Sequence, residues 1–235
     1  MEDLATDALK IVQIIWVNII LSGDNAVVIA LACRGLPNNR RRIGMIAGAG
    51  VAVGLRIIFT VVVASLLMTP FLKIIGSMLL LWIAVKLLIE DEEDAAGKIA
   101  ETDRLWHAIR TIAIADAVMS LDNVLAIAAV AQGSWFLMVL GLAISIPLVV
   151  VGATLIMAMI DRFPIFVWLG AGLLGWVAGE MLISDPWLMR QIGGAAAHRY
   201  EYIAAAVGAL LVVGLGYALR RRMREDVKAN GPAGT

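Results

Sequence analysis

Three aspartates, Asp24, Asp116 and Asp122, stand inside runs of residues otherwise apolar enough to fill a bilayer. Two of them are followed by asparagine, in Ser22-Gly23-Asp24-Asn25 and Ser120-Leu121-Asp122-Asn123. A carboxylate at the centre of a membrane helix costs about 2.5–3.5 kcal/mol on the insertion scale, so three of them require partners or water. Carboxylates, carboxamide oxygens and hydroxyls together make an all-oxygen donor set, which suits a hard divalent cation such as Mn²⁺, Mg²⁺ or Ca²⁺. Neither Cys nor His stands in this cluster, which argues against a dedicated zinc or copper(I) site. Arg56, midway along the second apolar run, needs an anion. One aspartate would satisfy it, but three exceed that need. Asp116 and Glu180 are the acids placed to carry protons, and Asn18, Ser22, Ser120 and Arg56 complete the polar set.

Spacing constrains how these groups meet. Asn18 and Asn25 lie seven apart, as do Asp116 and Asn123, so each pair shares a helical face. Asp24 and Asp122 sit about 100° round from their asparagine neighbours. Convergence of both Asp-Asn pairs therefore favours a local break, which Gly23 permits in the first run and Leu121 makes less obvious in the other.

The elements that hold these residues are written twice. An offset of 98 aligns Asn18 with Asp116, and Ser22, Asp24 and Asn25 with Ser120, Asp122 and Asn123. An offset of 94 aligns Pro70, Gly76, Trp82 and Lys86 with Pro164, Gly170, Trp176 and Glu180. Two matches in the same order indicate duplication. Seven spans are predicted: Ala8–Cys33, Ile43–Met68, Phe71–Ile89, Ala108–Ala131, Trp135–Ile160, Phe163–Ile183 and Tyr202–Leu219. Thr69-Pro70 separates the second from the third, and Gln132-Gly133-Ser134 bends the uncharged stretch between Val124 and Ile160.

A three-span repeat must enter its second copy from the opposite side, the inverted topology of many secondary transporters. The expected fold is an all-α membrane protein of seven transmembrane helices, two inverted three-helix repeats plus a C-terminal seventh helix. Within this single domain, repeat one covers 8–89, an acidic cytoplasmic loop 90–107 and repeat two 108–183. An outer loop then covers 184–201, helix seven 202–219 and a disordered basic tail 220–235. Inversion also places Lys86 and Glu180 at opposite ends of the molecule, so each is expected to have its own partner.

Composition agrees with a membrane assignment. Of 235 residues, 61% are hydrophobic and 16% charged, against roughly 45–50% and about 25% in soluble domains. The 19 basic and 19 acidic residues cancel, so no global field recruits nucleic acid. One cysteine, Cys33, excludes a disulfide framework. Arg34, Arg40–Arg42, Lys98, Arg104, Arg110, Arg162 and the run from Arg220 to Lys228 share one side of this topology. Lys10, Lys73, Arg190 and Arg199 share the other, which puts the N-terminus outside and the C-terminus in the cytoplasm. Trp106, Trp135 and Trp187 fall near span ends, as interfacial anchors do. The run Glu90–Asp94 reads as a solvated acidic loop, and His107 and His198 as interfacial or loop residues. Ser145 and Pro147 mark either a flexible point in the fifth span or ordinary packing.

The chain resembles the TerC family of the wider LysE-like transporter superfamily, particularly its short bacterial form. The resemblance rests on Ser22-Gly23-Asp24-Asn25, Ser120-Leu121-Asp122-Asn123 and Ile144-Ser145-Ile146-Pro147-Leu148, and covers Ala8 to Arg220. The family takes its name from tellurium resistance. The resemblance implies export of Mn²⁺ across the bacterial inner membrane, with Asp24, Asn25, Asp122 and Asn123 as the metal-binding positions.

Export of a divalent ion against an inside-negative potential costs about 4.6 kcal/mol per 100 mV. Coupling is therefore required, most simply to protons, with alternating access of one repeat against the other. The expected partners are the lipid bilayer, the divalent cation and protons. A homo-oligomer is compatible with the sequence, and neither enzymatic activity nor a resident cofactor is expected. An intramembrane aspartyl protease is disfavoured because Leu21 replaces the first glycine of G-x-G-D. A retinal protein is disfavoured because Tyr202–Leu219 has no lysine. The alternatives are a structural or assembly protein linked to metal or tellurium stress, and an exporter of a small organic cation.

Overall fold

In the computed structural model, residues 12, 16, 23–66, 70–95, 101–131 and 135–230 are described. Among them all regular structure is helical, in eight elements. These are α1 (Gly23–Cys33), α2 (Asn38–Leu66), α3 (Leu72–Ala95), α4 (Glu101–Ala131), α5 (Trp135–Arg162), α6 (Ile165–Ile183), α7 (Pro186–Ile192) and α8 (Gly194–Asn230). Four stretches of these helices are long and apolar enough to cross a membrane: Asn38–Phe59, Leu72–Ile89, Ile165–Ile183 and Arg199–Met223. α4 and α5 coincide with the predicted fourth and fifth spans, and α1 is the described part of the first. Most of the predicted span Ala8–Cys33 before Gly23 lies outside the described residues.

The bounds of the described helices bracket positions where backbone chemistry disfavours helix. α2 ends at Leu66 and α3 begins at Leu72, either side of Pro70. α4 stops at Ala131 and α5 starts at Trp135, either side of the Gln-Gly-Ser triplet. Pro164 caps α6, and Asp185 caps α7 by accepting the Trp187 N–H at 2.8 Å, with Pro186 at the first helical position. Gly193, at φ 80°, closes α7.

Three boundaries differ from expectation, all in the same direction. Residues 90–95 continue α3, and residues 101–107 already belong to α4, so most of 90–107 is helix rather than loop. The segment 184–201 contains α7 and the start of α8. The basic tail is helical to Asn230. Glu, Arg, Lys, Met and Ala are all good helix formers, and Arg221 donates to Glu225 one turn on at 2.9 Å. A helix already nucleated and packed in the apolar region therefore extends through polar sequence.

α1 lies at the centre, in contact with α2, α4, α5 and α6. Eight of its eleven residues are buried, among them Ile29, Leu31 and Cys33. Around it, α2 packs on α4 and α5, α3 packs on α4 and α6, and α8 packs along α6 and α3. α6 and α8 meet almost backbone to backbone. A Cβ at Gly175 would strike the Gly208 carbonyl, and one at Gly179 would strike the Ala204 carbonyl, the small-residue packing that lets membrane helices approach closely. Large apolar side chains point away from the bundle, including Ile58, Met78, Leu155 and Leu210. This is a surface suited to lipid.

The two ends of the bundle are tied differently. At the arginine-rich end, Arg34 Nη2 donates to the Leu87 carbonyl at 2.7 Å, and Arg41 pairs with Asp161 at 2.8 Å. At the opposite end, Phe71 stacks on Trp187 with ring centroids 5.0 Å apart, and Lys73 Nζ donates to Ser184 Oγ at 3.3 Å. Lys86 and Glu180 separate as expected. Lys86 meets His107 Nε2 at 2.7 Å and lies over the Trp82 ring, whereas Glu180 accepts from Trp176 Nε1 at 2.6 Å.

Candidate functional site

Four helices meet around one buried polar cluster. Arg56 reaches from α2 to α4, where its Nη2 pairs with Asp116 Oδ1 at 2.5 Å and its Nε donates to Ser120 Oγ at 3.1 Å. Ser120 Oγ in turn donates to Asp116 Oδ2 at 2.9 Å. Asp116 and Ser120 are one turn apart, so helical geometry alone stacks them on one face. All three are almost fully enclosed, with Arg56 3% and Asp116 4% exposed and Ser120 wholly buried. A guanidinium at this depth is tolerated because each fork of its plane finds an oxygen.

Asn25 on α1 borders this cluster. It and Asp116 line both of two small cavities, each with room for a single water. The first is completed by Val28, Ile29, Ala52 and Ile112, and Arg56 and Val149 of α5 help to close the second. Asp24 is half-buried, accepts the Asn25 N–H at 2.8 Å and lies within electrostatic reach of both Arg56 and Asp116. The depth follows from helix rise. Asp24 is nine residues from Cys33, and Asp116 nine from His107, each about 14 Å from the arginine-rich end. Half of a ~30 Å hydrocarbon core is about the same distance.

The expected site is therefore assembled in part. Arg56, Asp116 and Ser120 come together, with Asn25 beside them and Asp24 close by. Glu180 stands apart, lining a cavity of about 190 Å³ with Met119, Met181, Ser184 and Glu201. This cavity reaches α4 one residue short of Ser120. Asp122 and Asn123 fall on α4, which runs unbroken through Leu121, so the backbone there shows no break. Their side chains, like that of Ser145, lie outside the described set, as do residues Asn18 and Ser22 and any break before Gly23. Among the described residues no three His, Cys, Asp or Glu side chains gather closely enough to hold a metal.

Asp185 escaped sequence reasoning. Wholly buried, it caps α7 and also accepts the N–H groups of Phe71 and Lys73, both at 3.2 Å. Phe71 has φ 67°, an uncommon conformation for a non-glycine residue, and the carboxylate holds the turn that requires it. A Ser-Asp-Pro triplet is the available signal, since it reads as a capped helix start. The residues that it ties from 112 and 114 positions away leave no mark in sequence.

Comparison with known proteins places this arrangement in a family. An uncharacterized membrane protein of Bacillus subtilis, YjbE, is 41% identical over 177 residues, covering 75% of this chain and 80% of its own length. A second from the same organism, YceF, is 28% identical over 153 residues, covering 62% of this chain and 59% of its own. No solved structure gives a significant match. The integral membrane protein TerC family matches residues 4–226, nearly the whole chain. With its apolar helices and mid-depth polar cluster, this multi-pass integral membrane protein belongs to the TerC family.

Proposed function

We propose that this protein is a secondary transporter that exports a divalent cation, Mn²⁺ foremost, across the bacterial inner membrane by alternating access coupled to protons. The observation that carries the proposal is the buried cluster of Asn25, Arg56, Asp116 and Ser120, with Asp24 beside it, at mid-depth where the two halves of the chain meet. Charged groups held at that depth in an otherwise apolar bundle are costly to bury and mark ion or proton pathways as the default reading.

The packing pattern supports seven spans built as inverted repeats. Contact of α2 with α4 is matched by that of α1 with α5, and contact of α3 with α4 by that of α1 with α6. α1 with α4, α2 with α5 and α3 with α6 pair each helix with its own counterpart. A two-fold exchanging the halves would produce this set. In this reading Asp24, Asn25, Asp122 and Asn123 ligate the ion. Asp116 is engaged by Arg56, so Glu180, beside its cavity, carries the proton. The protein would act by transport alone, without catalysis.

The test is uptake by the full chain reconstituted in vesicles, comparing Mn²⁺, Mg²⁺ and Ca²⁺ under an imposed pH gradient. Asp24→Asn and Asp122→Asn should each reduce Mn²⁺ flux to background while leaving the protein inserted. Normal flux in both variants would remove the ligand assignment. A structural or assembly role is the second reading, favoured by the complete satisfaction of Asp116 by Arg56 and Ser120. Wild-type protein that moves none of the three cations would establish it over transport.

A further inference from the structure

We infer that Arg56 is a tethered cation that competes with the transported ion for Asp116, locking the two halves together whenever no ion is bound. The inference rests on the transport proposal, adds Asp116 to the carboxylates the ion meets once Arg56 lets go, and assigns a role to Arg56, a residue outside the ligand set. Arg56 belongs to the first half of the chain, on α2, and its two partners to the second half, on α4. The pair is thus a bolt across the boundary that alternating access must open.

Energetics favour exchange over simple rupture. A buried ion pair contributes little net stability because desolvation offsets attraction, whereas removing one partner leaves a buried charge uncompensated. Asp116 can therefore change cations at small cost but cannot be left without one. Geometry supplies the place for the second cation. Both water-sized cavities beside the pair are bounded by Asn25 and Asp116 together, so an ion shed of its water fits next to the carboxylate. Charge supplies the trigger. Asp24, Asp116, Asp122 and Arg56 sum to −2 when all are ionised, and a divalent ion brings that to zero with the guanidinium still in place. The ion, closer to the carboxylates than the guanidinium is, repels Arg56 while the carboxylates retain the ion. As the ion leaves, Arg56 retakes Asp116, which speeds release and neutralises the return step.

The experiment measures Mn²⁺ affinity by calorimetry in nanodiscs and Mn²⁺ flux in vesicles, for wild type, Arg56→Gln and Arg56→Lys. Without its competitor, Arg56→Gln should bind Mn²⁺ about tenfold tighter, ~1.4 kcal/mol. Its transport KM should fall and its kcat should drop by a similar factor or more, because release is slowed. Arg56→Lys keeps a point charge without the planar fork and should fall between the two.

A folded Arg56→Gln protein with unchanged or weaker affinity overturns the inference and leaves transport standing, since a purely structural pair alters stability and not the split between KM and kcat. If Arg56→Gln does not fold, Arg56→Lys decides: lower KM with lower kcat upholds competition, and wild-type constants overturn it. If neither wild type nor Arg56→Gln binds Mn²⁺, Mg²⁺ or Ca²⁺, both the inference and the transport proposal fall.

Discussion

At the scale of single residues, the charges inside the bundle divide into one set that builds and one set that is free to work. Asp185 builds. Its carboxylate accepts three backbone N–H groups, two from the distant Phe71–Lys73 segment and one from Trp187 in the helix it caps, and is fully enclosed. Hydrogen bonds to a charged group contribute about 1.5–3 kcal/mol each, and orphaned buried donors add their own penalty. Asp185→Ala should therefore destabilise the protein by about 3 kcal/mol or more, read as a fall in thermal midpoint in detergent. Asp185→Asn retains one acceptor oxygen and should lose less; equal loss in both would mean that the neutral acceptor contributes nothing and the charge carries the whole effect. That Arg56 must find an aspartate, by contrast, was legible from sequence, because an arginine within an apolar run needs an anion and few are within reach; that the anion is Asp116 comes from the fold. Asp185 was not legible, since its importance arises from the left-handed turn at Phe71, which only the folded chain brings to it.

At the scale of elements, the sequence read apolar segments well and polar ones poorly. Pro70 lies between the bounds of two helices because its backbone effect is local, and the Gln132-Gly133-Ser134 triplet lies outside the described residues between the helix bounds Ala131 and Trp135. The acidic run after Ile89 and the basic run after Leu219 look like solvated loops by charge, yet both continue helices, because propensity and an existing nucleus outweigh polarity there. The close approach of α6 and α8 was hidden for a different reason. Gly175 and Gly179 stand four apart, but glycines are common in membrane helices, and only the facing Gly208 shows that they are an interface. Any side chain at Gly179 must push the α8 backbone away. Gly179→Ala should destabilise the protein by about 1–3 kcal/mol, with Gly179→Val worse. Gly214, where a Cβ meets nothing within 4 Å, is the control. Measurement is the denaturation midpoint in mild detergent, and equal midpoints for substitutions at 179 and 214 would remove this interface from the list of stabilising contacts.

At the scale of the whole molecule, the balanced net charge conceals a polarised object. One end carries Arg34, Arg41 and Arg220, with Lys86 held between His107 and Trp82; the other carries Glu180 bonded to Trp176, with Asp185 and Glu201 nearby. Lys86 follows Trp82 by four residues, as Glu180 follows Trp176, so matching positions of the two repeats present opposite charges at opposite ends. A direct tandem repeat would place both at the same end. The proposed inversion, with positive charge retained on one side, would account for the difference, because lysine and arginine near span ends are held to the cytoplasmic face during insertion. The orientation we propose has the arginine-rich end and the C-terminal helix inside. It can be tested in a Cys33→Ala background with single cysteines at exposed sites. Arg190→Cys and Arg199→Cys should react with a membrane-impermeant maleimide applied to intact spheroplasts, whereas Asp161→Cys and Glu225→Cys should react only after the membrane is opened. The reverse pattern would invert the direction of transport along with the topology. Labelling of all four in intact cells would mean that the two ends do not face opposite compartments, and the inverted-repeat proposal would fall with it.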